Sequence, residues 1–135
     1  PQRACNGFNV KRLHMLLAVL EKKCGFKFST KDVFLNIAGG ISVSDPSMDL
    51  GVIASLLSSY HDQKINPQVC FSGEVGLNGE VRPLARIEQH IKEAQRIGFS
   101  TIVISSHSPP ISRENKIKIV QCAEVHELHA FIVKA

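Results

Sequence analysis

The chain has no CxxC pair, no low-complexity tract and no apolar run of transmembrane length. It also has no Gly-rich turn ending in Gly-Lys-Ser/Thr and no HExxH. The four cysteines, Cys5, Cys24, Cys70 and Cys122, lie far apart. That spacing excludes a zinc ribbon and argues against a disulfide framework, so free thiols in a reducing cytosol are expected. Without a spanning run, or a basic start followed by a small-residue cleavage site, a membrane or secreted protein is not expected. Gly39-Gly40-Ile41-Ser42 lacks the lysine of a phosphate-binding loop, and Gly76 to Gly79 falls in a hairpin pattern, so both read as turn glycines. His126 and His129 are three apart where a zinc-binding helix needs four, so they read as surface histidines and no metal site is expected.

What is present is one ordinary domain's worth of chain. Its 135 residues are 44% hydrophobic, enough for a single core and against disorder. The chain opens on Pro1 rather than Met, and the expectation is a piece excised or processed from something longer, with residues 1–135 forming one domain.

The net charge of +4 is unevenly placed. Residues 1–31 carry Arg3, Lys11, Arg12, Lys22, Lys23, Lys27 and Lys31 against the single acid Glu21. The rest carries nine basic and eleven acidic side chains, so the basic character belongs to the N-terminal quarter.

Hydrophobic periodicity predicts a helix over Val10 to Cys24, with Asn9 as N-cap, Gly25 beyond its end, and Leu13, Leu16, Leu17 and Leu20 in its apolar stripe. Lys11, Arg12, Lys22 and Lys23 fall on the opposite face as a basic band. A strand is expected over Lys31 to Ala38, ending at the loop Gly39-Gly40. A nearly all-apolar helix follows from Asp45, with Pro46 at its first position. Val69 to Val75 and Glu80 to Arg82 read as one hairpin around Asn78-Gly79, a pair suited to positive φ. Ile87, Ile91, Ala94 and Ile97 mark a helix ended by Gly98. Strands at Thr101 to Ser105 and Ile117 to Val120, and a helix over Val125 to Val133, complete a mixed-sheet α/β (α+β) domain.

Ser47 stands at a helix start, where free backbone N–H groups favour an oxyanion, although serine is equally at home there as a cap. Glu88 stands in the first turn of the helix after the hairpin. Asp45-Pro46-Ser47-Met48-Asp49 followed by Gly73-Glu74-Val75-Gly76-Leu77-Asn78-Gly79-Glu80-Val81-Arg82-Pro83 resembles the proteolytic domain of Lon proteases. In that family the serine lies in Gly-Pro-Ser-Ala-Gly, and a lysine base follows the hairpin. The resemblance implies the Lon proteolytic fold, related to ribosomal protein S5 domain 2. It sets Ser47 at the nucleophile position and Glu88 at the lysine position. A carboxylate there places negative charge beside a developing oxyanion, and Met48 and Asp49 crowd the site that small residues leave open. Lys92 is one turn beyond Glu88 and is expected to pair with it at i, i+4.

The closer resemblance is to the Lon-like C-terminal domain of the bacterial RadA/Sms DNA-repair ATPases. It is carried by Asn6-Gly7-Phe8, Leu16-Leu17-Ala18-Val19-Leu20-Glu21-Lys22, Asn36-Ile37-Ala38-Gly39-Gly40, Arg86-Ile87-Glu88, Glu93-Ala94 and Gly98-Phe99. This resemblance spans the chain. It implies a cytoplasmic bacterial parent with a four-cysteine zinc finger and a RecA-like ATPase core upstream, so that Zn, ATP and Mg belong to the parent and no cofactor to this domain. It further implies recombinational repair, a hexameric ring, branch migration, single-stranded or branched DNA and a RecA-type recombinase as partners, and a domain that scaffolds and contacts DNA without proteolysis. Lys11, Arg12, Lys22, Lys23 and Lys27 are the expected DNA-contacting residues, with Arg82 and Arg86 beside the hairpin as further candidates for DNA or a neighbouring subunit. A solvated helix face accounts for the band equally well. The alternative function is a Lon-type ATP-dependent serine protease with Ser47 as nucleophile.

Overall fold

The computed structural model describes residues 1–38 and 45–132. The expected loop at Gly39-Gly40 and the helix end at Val133 lie outside the described residues. In order, the elements are β1 (Arg3–Asn6), α1 (Val10–Cys24), β2 (Val33–Asn36), a 3-10 turn (Pro46–Met48), α2 (Asp49–His61), β3 (Val69–Phe71), β4 (Glu74–Val75), β5 (Val81–Arg82), α3 (Ile87–Ile97), β6 (Thr101–Ser105), β7 (Lys118–Cys122), a second 3-10 turn (Val125–Leu128) and α4 (His129–Ile132).

β3, β6 and β7 form a parallel sheet with β6 at its centre, β1 pairs with β2 in parallel, and β4 pairs with β5 in an antiparallel hairpin. The mixed α/β architecture is the one expected. Successive side chains of a strand point to opposite faces. β6 uses that rule to separate two cores: Ile102 and Ile104 pack with Ile87, Ile91 and Ala94 of α3, whereas Val103 joins the larger core of α1 and α2. All three are buried, which is why β6 reads as a continuous apolar run.

α1 begins where the Asn9 side chain accepts the Lys11 and Arg12 N–H groups, and it ends at Gly25, whose φ is 74°. Leu13, Leu16, Leu17 and Leu20 recur at helical spacing and are buried. Asp45 caps the Pro46–Met48 turn rather than α2 itself, and α2 starts one turn later at Asp49. α3 ends at Gly98 as expected.

Several expectations need correction. Arg3–Asn6 is a strand that the sequence pattern does not reveal, and β2 is shorter than Lys31 to Ala38. The supposed single arm Val69 to Val75 is two strands in two sheets. β3 runs with β6, and the Ser72 N–H still donates to Val103. Gly73 then donates to the Ser47 carbonyl and accepts from Leu50, turning the chain away from the sheet toward the start of α2. The hairpin turn also differs. Gly79 donates to the Gly76 carbonyl, and only Gly79 (φ 80°), not Asn78, has positive φ. A turn closed by one left-handed glycine gives the same reversal as an Asn-Gly pair. The last strand runs Lys118–Cys122, and the expected terminal helix is a 3-10 turn followed by the four-residue α4.

Candidate functional site

The segment 45–49 delivers Ser47 and Asp49 to the junction of α1, α2 and the hairpin. Ser47 is buried, its N–H donates to Asp45 Oδ1 at 2.9 Å, and its carbonyl accepts from Gly73. Two residues on, Asp49 is fully buried. Arg12 of α1 forks onto it, with Nε 2.6 Å from Oδ1 and a second nitrogen on Oδ2, and the Val75 N–H donates to Oδ2 at 3.0 Å. Glu74 lies 3.7 Å from the same guanidinium. The hydrogen bond to Asp49 raises the Arg12 pKa above its ordinary value, against the opposing effect of burial. A charge buried in this way requires a partner, and here the partner comes from the helix face first read as a basic band.

Arg12 therefore engages a buried acid while 29% of its side chain stays exposed. Lys23, in line with Arg12 on α1, lays its aliphatic stem over the hairpin. A Cβ at Gly79 would come within 3.2 Å of its Cγ. Lys11, Lys22, Lys23 and Lys27 are exposed. Arg82 and Arg86 are also exposed, and Arg82 forks onto Glu80 at 3.2–3.3 Å.

Glu88, which the resemblance sets at the base position, has both carboxylate oxygens in use. Oε2 accepts the Ser112 N–H at 2.8 Å, and Oε1 accepts the Asn115 side-chain amide at 3.1 Å. These bonds, the Ser112 N–H first, lower the Glu88 pKa, with Lys92 contributing least. The expected Glu88–Lys92 pairing is thus secondary: the carboxylate is an anchor for the loop leading into β7.

A further polar contact joins Ser72 Oγ to His90 Nδ1 at 2.8 Å, linking the end of β3 to α3. The residues are 18 positions apart and belong to no motif, so nothing in the sequence signals the contact. The cysteines are all free thiols, and burial pushes Cys122 up to about 12. Among the described residues no group of three or more His, Cys, Asp or Glu side chains is placed to hold a metal ion. No helix among them is long and apolar enough to cross a membrane.

A mixed α/β fold with two buried polar junctions, at Asp49 and Ser72, defines a class of domain rather than an activity. The family model described as subunit ChlI of Mg-chelatase matches residues 9–108, and the chain belongs to that family. It is 39% identical over 128 residues to the DNA repair protein RadA of Bacillus subtilis, covering 94% of this chain and 28% of that protein. It is 38% identical over 128 residues to RadA of Streptococcus pneumoniae (94% and 30%), and 43% identical over 104 residues to RadA of Helicobacter pylori (77% and 23%). The resemblance to the RadA C-terminal region read from the sequence is thus matched by relatives along most of the chain. The chain spans less than a third of the length of these relatives.

Proposed function

We propose that the chain is a non-catalytic Lon-like domain of a cytoplasmic bacterial RadA/Sms-type DNA-repair protein, serving as ring scaffold and DNA-contacting element in branch migration. The observation that carries this reading is the engagement of Glu88. The group at the base position is an acid, and both its oxygens hold the 112–115 loop. The Arg12–Asp49 pair adds to it: two residues after Ser47, where Lon proteases have a glycine, stands a buried acid engaged by Arg12. ATP, Mg and Zn belong, on this reading, to the upstream parts of the parent. The ring is hexameric, and a RecA-type recombinase is a partner of the parent.

Lys11, Lys22, Lys23 and Lys27 form the surface that neutralises phosphates, in company with Arg82 and Arg86 at the hairpin. Arg12 supports the fold of that surface from beneath. Binding of this kind is independent of base sequence and falls steeply with salt. The test is fluorescence anisotropy of a labelled single strand, titrated at several salt concentrations with wild type and the double variant Lys22→Gln/Lys23→Gln. The expected result is weaker binding, with a salt slope reduced by about 0.7 for each lysine removed. Equal affinity and slope in the two proteins would refute the assignment.

A further inference from the structure

We propose that the groove between Phe34 and Tyr60 is a stacking site for the bases of single-stranded nucleic acid. This deepens the DNA-contacting reading above and rests on it. Phe34 projects from β2 with 67% of its surface exposed, the only exposed Phe or Tyr side chain among the described residues. It lines a groove of about 460 Å³ together with Tyr60, the buried Phe28 and the hydroxyls of Ser55 and Ser59.

The groove is held open by its surroundings. Phe26 and Phe28 pack on Tyr60 at centroid distances of 4.9 and 5.2 Å. Arg3 fastens the 28–31 turn by donating to the Phe28 carbonyl at 2.7 Å and to the Lys31 carbonyl. A stacking platform fixed in advance loses little entropy when a base arrives.

Its charge suits a polyanion. Lys31 Nζ sits 5.6 Å from the Tyr60 ring centroid, and Lys31 lines the groove. Residues 22–31 carry Lys22, Lys23, Lys27 and Lys31 and no carboxylate. The one acid lining the groove, Asp32, accepts the Gln2 N–H at 2.7 Å. A cation beside an exposed aromatic face, here Lys31 and Phe34, is the combination that binds single strands, because every base offers a π-face once it is unstacked. A duplex keeps those faces inside, so it should gain from the lysines and not from Phe34.

The chain has no tryptophan, so Phe34→Trp introduces a single indole reporter at the groove. An oligothymidylate single strand is expected to quench that emission. Phe34→Ala, a change at an exposed position, is expected to weaken the same strand about tenfold and leave a duplex of equal length unaffected. Unquenched emission, together with unchanged single-strand affinity in Phe34→Ala, would overturn the proposal. An equal loss on both nucleic acids would overturn it too. So would a fall in light-scattering mass on Phe34→Ala without a change in DNA affinity, which would assign this face to a second copy of the chain. Wild-type protein that binds neither strand form removes the DNA-contacting reading and the groove together. Retained binding with no response at Phe34 removes the groove alone.

Discussion

Arg12 and Asp49 face each other across the junction of the first two helices, 37 residues apart in sequence, with the guanidinium Nε 2.6 Å from the carboxylate. The Val75 N–H completes the carboxylate's contacts, so one buried acid joins α1, α2 and the hairpin. Removing one partner of a buried ion pair leaves the other without compensation. Asp49→Ala should therefore cost about 3 kcal/mol, read as a lower urea midpoint with an unchanged m-value. Adding Arg12→Met in the same protein should recover part of the loss, because the stranded cation is then gone. Additive losses in the double-mutant cycle would mean the pair is not coupled.

Glu88 predicts a pH response. Hydrogen bonds from Ser112 and Asn115 lower its pKa below the ordinary 4.5. A depressed carboxyl contributes stability that is present above the unfolded value and lost as pH falls through the folded one. The Ser112 amide resonance should titrate with a midpoint below 4.5, and its hydrogen-exchange protection should fall through the same window. Glu88→Gln should abolish that titration. A Ser112 amide insensitive to pH in wild type would contradict the contact.

Cys122 is buried, and its thiol is pushed up to about 12, first by burial and then by the charge of Glu127. The thiolate is the reactive species. Native protein at neutral pH should therefore leave Cys122 unalkylated by iodoacetamide, whereas urea-unfolded protein should modify it readily. Between the ordinary thiol value of 9.0 and about 12 the unfolded chain sheds a proton that the folded chain keeps, so stability should fall across that range. Peptide mapping after brief labelling checks the first point, and urea midpoints at rising pH check the second.

Gly79→Ala tests the hairpin turn. Its φ of 80° disfavours any side chain, and the added Cβ would press on Lys23 Cγ at 3.2 Å. A loss of about 1 kcal/mol is expected from the backbone alone, measured by thermal or urea unfolding. A neutral effect would mean that the turn adopts another geometry.

Local signals in the chain carried the parts of the fold that are locally determined. Asn9 and Gly25 bound α1, Gly98 ends α3, and the Thr101–Ser105 strand is as expected, because caps, left-handed glycines and apolar runs act over a few residues. The misreadings arise where distant groups decide. Val69 to Val75 is unbroken by pattern, and it divides because Gly73 bonds to Ser47 and Leu50. β1 is short and alternates only weakly, and its strand character comes from pairing with Val33–Asn36. At the site, it is the family resemblance that singles out Ser47 and Glu88. The sequence does not reveal that Arg12 pairs with Asp49, since that partner is far along the chain and an arginine on a helix face looks the same whether it meets solvent or a buried acid.

The proposal of a Lon-like domain without a working serine nucleophile turns on Ser47. Incubation of the chain with a fluorescent fluorophosphonate, beside Ser47→Ala, tests it most directly. The account predicts no labelling of either protein above the level of the heat-unfolded control. Stoichiometric labelling of wild type that disappears in Ser47→Ala would contradict it, and would restore a protease reading despite the acid at position 88.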